Sequence, residues 1–410
     1  MSVRRHHTAG RRHLAAVAVA SMLAATALAG CSDTDGENPV TEVFQDDPTE
    51  SATPTPPQVK LSTNLPPSRK PLPVSTLLEV SAQQGTLERV RFASGAGDSV
   101  SGTLSKNERT WVASERLEPG TSYTVVGVGR DDEGRIRKLE RSFRTEDLSL
   151  DQQTYPSIAP IAGETVGVGM PVIVNFDVPV TDRAEIEKHL SVDTQPVQQG
   201  TWHWISDYEV HWRPKQYWKP GTDVTVNADV NGVDAGNGIY GQENRRASFS
   251  VGDSLIMRID VASHTMKVFR NGNLLRTIPI SAGKPGFTTR SGVKVIVEKF
   301  RVKRMDAATT GISEDDPEYY NIDNVEYAQR VTYSGEFLHA APWSVGSQGS
   351  ANVSHGCVGM STDNAAWLYS LTRRGDVVDV TGSDRSMEPT NGYGDWNVSW
   401  ADYRSGSALH

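Results

Sequence analysis

Ser354-His355-Gly356-Cys357 is the stretch of this 410-residue chain best equipped for covalent chemistry, and a second histidine, His339, stands sixteen positions before His355. A protonated thiol, with a reference pKa of about 8.5, is a weak nucleophile. A base, a cation or a helix N-terminus activates it. Here His339 and His355 are candidate bases, and Gly356 lets the backbone turn sharply and approach a carbonyl closely. The N–H groups of Gly356 and Cys357 can face a developing oxyanion. These residues alone leave several readings open: a hydrolase, a transferase, a metal site, or a structural cysteine among buried histidines. The metal reading is disfavoured, since one cysteine and two histidines are an incomplete ligand set with no carboxylate at ligand spacing. No cofactor is called for.

The elements that must position this motif start near Gly252. Leu255–Asp260 and Thr265–Phe269 read as paired strands, and Asn271-Gly272 is a strong hairpin turn before a further strand from Leu274 to Ser281. Gly283-Lys284-Pro285-Gly286 and Ser291-Gly292 punctuate more short strands. A helix is expected from about Thr362 to Arg373, capped by Ser361 or Asp363 and stopped by Gly375. Cys357 falls on the loop just ahead of that helix, so a helix dipole is available to it on this reading.

Upstream, the sequence repeats weakly. Trp111 is followed by Pro119-Gly120-Thr121 and a strand-like run, and Trp212 by Pro220-Gly221-Thr222 and another, with the Pro-Gly pairs 101 residues apart. Each copy closes on a strand, Arg141–Thr145 and Ala247–Val251. A period near one hundred with short strands and frequent turns predicts two tandem immunoglobulin-like β-sandwiches. The expected fold is therefore mainly β: sandwiches at 71–148 and 149–251, then a mostly-β region at 252–381 with one or two helices. The segment 382–410 carries Tyr393, Trp396, Trp400 and Tyr403, an aromatic density that predicts packing onto a domain.

The N-terminus reads as an export signal over residues 1–30. Arg4, Arg5, Arg11 and Arg12 precede an Ala-rich apolar run, which is too rich in small residues for a membrane span. The arginine pairs permit twin-arginine as well as general export. Leu28-Ala29-Gly30-Cys31 resembles a bacterial lipobox, which implies cleavage before Cys31, acylation there and attachment to the extracytoplasmic face of the membrane. An ordinary signal peptide is the alternative. Residues 31–70, rich in Pro, Thr and Asp, have the composition of a disordered tether, roughly forty residues able to reach on the order of 100 Å. The net charge of −9 becomes −13 once the four arginines of the signal are removed, which argues against nucleic acid as a partner. With Cys31 committed to the anchor, Cys357 is an unpaired thiol in an exported protein, where thiols normally pair or do chemistry.

On the spacing His339…Ser354-His355-Gly356-Cys357, the region from about Leu255 to Val380 resembles the catalytic domain of the L,D-transpeptidases, the YkuD type. The lipobox, tether, two immunoglobulin-like domains and aromatic tail together resemble mycobacterial and related actinobacterial lipoprotein members, so the likeness covers nearly the whole mature chain. It implies an enzyme that forms 3→3 cross-links between diaminopimelate residues of peptidoglycan stem peptides, through a thioester on Cys357, with release of D-alanine. It further implies His339 as base, oriented by the Ala340 carbonyl, Gly356 and Cys357 as oxyanion donors, and His355 and Ser354 as residues shaping the site. Tyr320 and Met305 map to a substrate lid, Trp343 to the pocket wall, and carbapenems become expected covalent inhibitors. One departure is Gly359, where many members carry Asn; it bears on acceptor preference more than on thiol chemistry. An L,D-carboxypeptidase and a non-catalytic cell-wall scaffold are the alternatives.

Overall fold

The structure, a computed structural model, describes residues 58–67 and 70–409. The signal, Cys31 and most of the expected tether lie outside the described residues. The tether does not extend to residue 70: Lys60–Thr63 is an edge strand paired antiparallel with Glu79–Gln83, and Val59 and Leu65 are buried. Their apolar side chains fill the first sandwich, which outweighs the proline-rich composition around them.

The protein is mainly β. The first sandwich places a four-stranded sheet, ordered Lys60–Thr63, Glu79–Gln83, Thr110–Ala113 and Gly102–Leu104, with a three-stranded sheet of Thr86–Ser94, Ser122–Arg130 and Ile136–Arg144. Phe92, Trp111 and Tyr123 cluster in its core. The second sandwich pairs two four-stranded sheets, one centred on Asp223–Ala228 and Arg245–Val251, the other on Glu209–Pro214 and Val172–Phe176. The repeat read in the sequence is a repeat of packing. Trp111 and Trp212 each lie across a glycine on the neighbouring strand, Gly102 and Gly200, where a Cβ would come within 2.1 Å and 2.0 Å of the ring.

The third region has strands β1 (Leu255–Asp260), β2 (Thr265–Arg270), β3 (Asn273–Pro279), β4 (Gly292–Val295), β5 (Glu298–Asp306), β6 (Asn321–Arg330), β7 (Phe337–Ala340) and β8 (Val358–Met360). Helix α1 (Thr362–Leu371) and strand β9 (Val377–Thr381) complete it. One sheet runs β3-β2-β1-β9-β4 and the other β5-β6-β7-β8. Alternating residues of both, with Ala365 and Leu368 of α1, close one apolar core. Ser361 caps α1 by accepting from the Asn364 N–H at 3.3 Å. Val295, Val297 and Val377 belong to the second sandwich's cluster, so the two regions share buried apolar surface across the Gly252 boundary. The C-terminal segment lies on the second sandwich: Tyr403 is buried, and Arg213 stacks on the rings of Trp396, Trp400 and Tyr403 at 4.7, 5.4 and 4.2 Å.

Candidate active site

Strand β7 carries His339 and β8 begins one residue after Cys357. The two strands pair in parallel, Leu338 opposite Val358 and His339 opposite Gly359. Strand alternation therefore puts His339 and Cys357 on one face of the pair. The motif turn is fastened on its other side by residues 281–284. Ser281 and Gly359 exchange backbone hydrogen bonds at 2.9 Å in each direction, Ser354 N–H donates to Ala282 O at 3.0 Å, and Lys284 N–H to Ser354 O at 2.9 Å. Within the turn, Ser354 Oγ donates to Cys357 O at 2.6 Å. Gly356 has φ +120°, a conformation that side-chain-bearing residues rarely adopt. A cavity of about 180 Å³ opens over this floor, lined by Cys357, His339, His355, Ser354, Met305, Tyr320 and Trp343. All the residues expected in the site except Gly356 thus meet around one opening, and Gly356 is the hinge of its floor.

The histidine and the thiol are both withdrawn from water. His339 Nδ1 donates to Ala340 O at 2.8 Å, which leaves Nε2 as an acceptor, and the exposed Trp343 ring stacks on the imidazole at 5.9 Å. Burial pulls the His339 pKa below the ordinary histidine value, with the Ala340 bond opposing. Burial pushes the Cys357 thiol up to about 12; the Phe337 backbone, Lys294 and Arg330 pull it down, while Glu336 adds to the rise. The sulfur donates weakly to Gly335 O at 3.5 Å. Burial thus favours the neutral form of both groups, a thiol and an imidazole that line the same cavity.

Residues 255–380 match the L,D-transpeptidase catalytic domain, YkuD, and residues 69–234 a bacterial Ig domain. L,D-transpeptidase 2 of Mycobacterium tuberculosis is 36% identical over 336 residues, which covers 82% of this chain and 81% of that protein. The chain belongs to the L,D-transpeptidase family. L,D-transpeptidase 5 of the same species is 32% identical, covering 81% of this chain and 73% of its own length. A solved structure of the LD transpeptidase LdtMt1 in complex with imipenem is 40% identical, with TM-score 0.49, and covers 55% of this chain and 97% of that one.

Two expectations change in this L,D-transpeptidase. Strand β8 stands between Cys357 and α1, so the helix N-terminus is spent on Ser361 and does not reach the sulfur. The Gly356 N–H is also engaged, donating to Ser354 Oγ at 3.1 Å, so in this conformation it is not an oxyanion donor. Other residues escaped the sequence reading. Glu318, in the excursion between β5 and β6, bonds His355 Nε2 at 2.7 Å and pairs with Lys284. Tyr320 and Phe287 flank the same imidazole at 4.9 and 4.8 Å. The excursion is thereby latched over the pocket. Gly359 sits opposite His339 with no room for a branch toward Ala341, whose Cβ would lie 2.7 Å from an added Cβ. An acidic residue thirty-seven positions from its histidine leaves no local pattern; only the fold joins them.

Proposed function

We propose that this L,D-transpeptidase makes 3→3 cross-links through a cysteine thioester. His339 Nε2 takes the Cys357 proton as the sulfur attacks the carbonyl at the L-centre of diaminopimelate in a tetrapeptide stem. The imidazolium returns that proton to the leaving amine of D-alanine, and the C–N bond breaks as the C–S bond remains. The side-chain amine of a second stem then attacks the thioester, losing its proton to His339 and freeing the thiol. The observation that carries this reading is His339 and Cys357 on one face of the β7–β8 pair, with the Ala340 carbonyl holding the tautomer that can accept. Tyr320, Met305, Trp343, Ser354 and His355 bound the substrate in this scheme. A carbapenem acylates the same sulfur. Attachment through acylated Cys31 at the outer face of the membrane puts the enzyme beside its substrate, and Cys31→Ala releases the protein from the membrane fraction; continued retention counts against the anchor.

The decisive experiment is incubation of the purified protein with disaccharide-tetrapeptide, followed by mass analysis. A dimer lacking one D-alanine supports transfer. A tripeptide alone identifies an L,D-carboxypeptidase, and no product together with no carbapenem adduct identifies a scaffold.

A further inference from the structure

Beside the Gly356–Cys357 turn, outside the pocket lining, three charged side chains are withdrawn from solvent: Arg290, Lys294 and Glu336. Lys294, fully buried on β4, donates from Nζ to Glu336 Oε2 at 2.5 Å. Arg290 donates to Glu336 Oε1 twice, from its backbone N–H at 3.1 Å and from Nη1 at 3.0 Å. Its Nε donates to Glu388, a carboxylate open to water, at 2.6 Å. Glu336 immediately precedes β7, and its Oε1 lies 3.8 Å from where a Cβ on Gly356 would stand. Thr289 ties the arrangement to the turn, donating from Oγ1 to Gly356 O at 2.8 Å.

A buried ion pair is a weak source of stability, since apolar residues of the same volume do as well or better. Its place here needs another reason. The titratable and charged groups around the sulfur are His339 on β7, His355 and Tyr320 in the lining of the same pocket, with Glu318 on His355 and Asp306 near Tyr320, and then Arg330, Lys294 and Glu336, with Arg290 on Glu336. The buried Glu336 opposes a negative sulfur, and two buried cations answer it: Arg290, which is shared with Glu388, and Lys294.

We propose that Lys294 is a positioning residue for the nucleophile: with Arg290 shared between Glu336 and Glu388, Lys294 completes the neutralisation of Glu336, which braces the motif turn, so that the Cys357 thiolate forms without a net buried anion against it. This rests on Cys357 acting as a nucleophile, as proposed above, but its test uses no cell-wall substrate. The test is the rate of Cys357 alkylation by iodoacetamide in the full chain at fixed pH values between about 7 and 8.5, where the rate follows the small thiolate fraction. Lys294→Met is expected to slow alkylation about tenfold, the equivalent of one unit of thiol ionisation. Glu336→Gln is expected to speed it, and the double variant to return toward the parent. A rate unmoved in Lys294→Met, or lowered further in the double variant as cumulative structural damage would do, overturns the proposal. If Lys294→Met alone does not fold, Glu336→Gln decides: a rate that does not rise overturns it. Failed tetrapeptide turnover with these rate changes intact would sink the cross-linking reading and leave this one standing.

Discussion

Among the described residues, two histidines are almost entirely buried, and they end in opposite states. His339, 5% exposed, bonds one backbone carbonyl and is left with a free acceptor nitrogen and a pKa below the ordinary value. His211, 2% exposed, lies under the C-terminal segment with Asp395 at 2.8 Å on Nδ1 and Glu209 at 2.7 Å on Nε2. Burial alone would lower it, yet the two carboxylates carry it up to about 9. Desolvation is common to both; the partners decide. A carbonyl can only accept a hydrogen bond, so it fixes a tautomer and keeps a base. Two carboxylates make a cation, and a fixed cation is a strut.

The comparison breaks most visibly at His339. His339→Ala is expected to slow carbapenem acylation by about 10²- to 10⁴-fold, the usual worth of a positioned base, while leaving the urea midpoint nearly unchanged. Stopped-flow acylation and urea unfolding of the same sample check it; an unchanged acylation rate removes His339 from the mechanism. The reverse is expected at the strut. Asp395→Asn removes the anion that also accepts from Tyr403 Oη at 2.8 Å, and breaking such a buried pair costs about 3 kcal/mol of folding stability. Acylation by the folded fraction should not change. A variant that unfolds no sooner would show that the C-terminal segment is held by its aromatic contacts alone.

The two sites also separate by pH. His211 has a folded pKa raised above its ordinary value of 6.5, so its contribution to stability is fully present below 6.5 and is lost as pH rises through about 9. His339 is lowered, so it stays a base on the acid side, and the acid limb of acylation is expected with its midpoint below 6.5. Acylation rates and thermal midpoints measured from pH 5 to about 9.5 should therefore fail at opposite ends. In Asp395→Asn the alkaline loss of stability should flatten; a loss of the same size would place its origin elsewhere.

How much of this could be read from the sequence follows from how local each arrangement is. Cys357, His355 and Gly356 are adjacent, His339 is a strand away, and the Trp111 and Trp212 repeats announce themselves with their Pro-Gly turns. Helix α1 was legible because its cap, Ser361, and its apolar face lie within one short run. Lys294 was not: in Gly292-Val293-Lys294-Val295 it alternates with valines and reads as the solvent face of a strand, whereas it is fully buried. Glu336 sits between a glycine and a phenylalanine and gives no sign of Lys294, forty-two positions away. His211 reads as an ordinary strand residue because Asp395 is 184 positions distant. Charge pairs made by tertiary folding have no spacing to recognise.

The smallest effect expected is at the latch, which sharpens the contrast from the side of the pocket. His355, unlike the buried pair, is partly open, and it meets Glu318 across a gap that solvent reaches. Lys284 and His355 hold that carboxylate below its ordinary pKa. Because ion pairs this open to solvent are individually weak, Glu318→Gln should change acylation by only about two- to fivefold. The change should lie in KM rather than kcat if the excursion controls entry, since loosening a lid alters access without touching the proton path proposed from Cys357 to His339. A fall in kcat with KM constant would instead mean that His355 bears on the reacting atoms, and that Glu318 supports it as the Ala340 carbonyl supports His339.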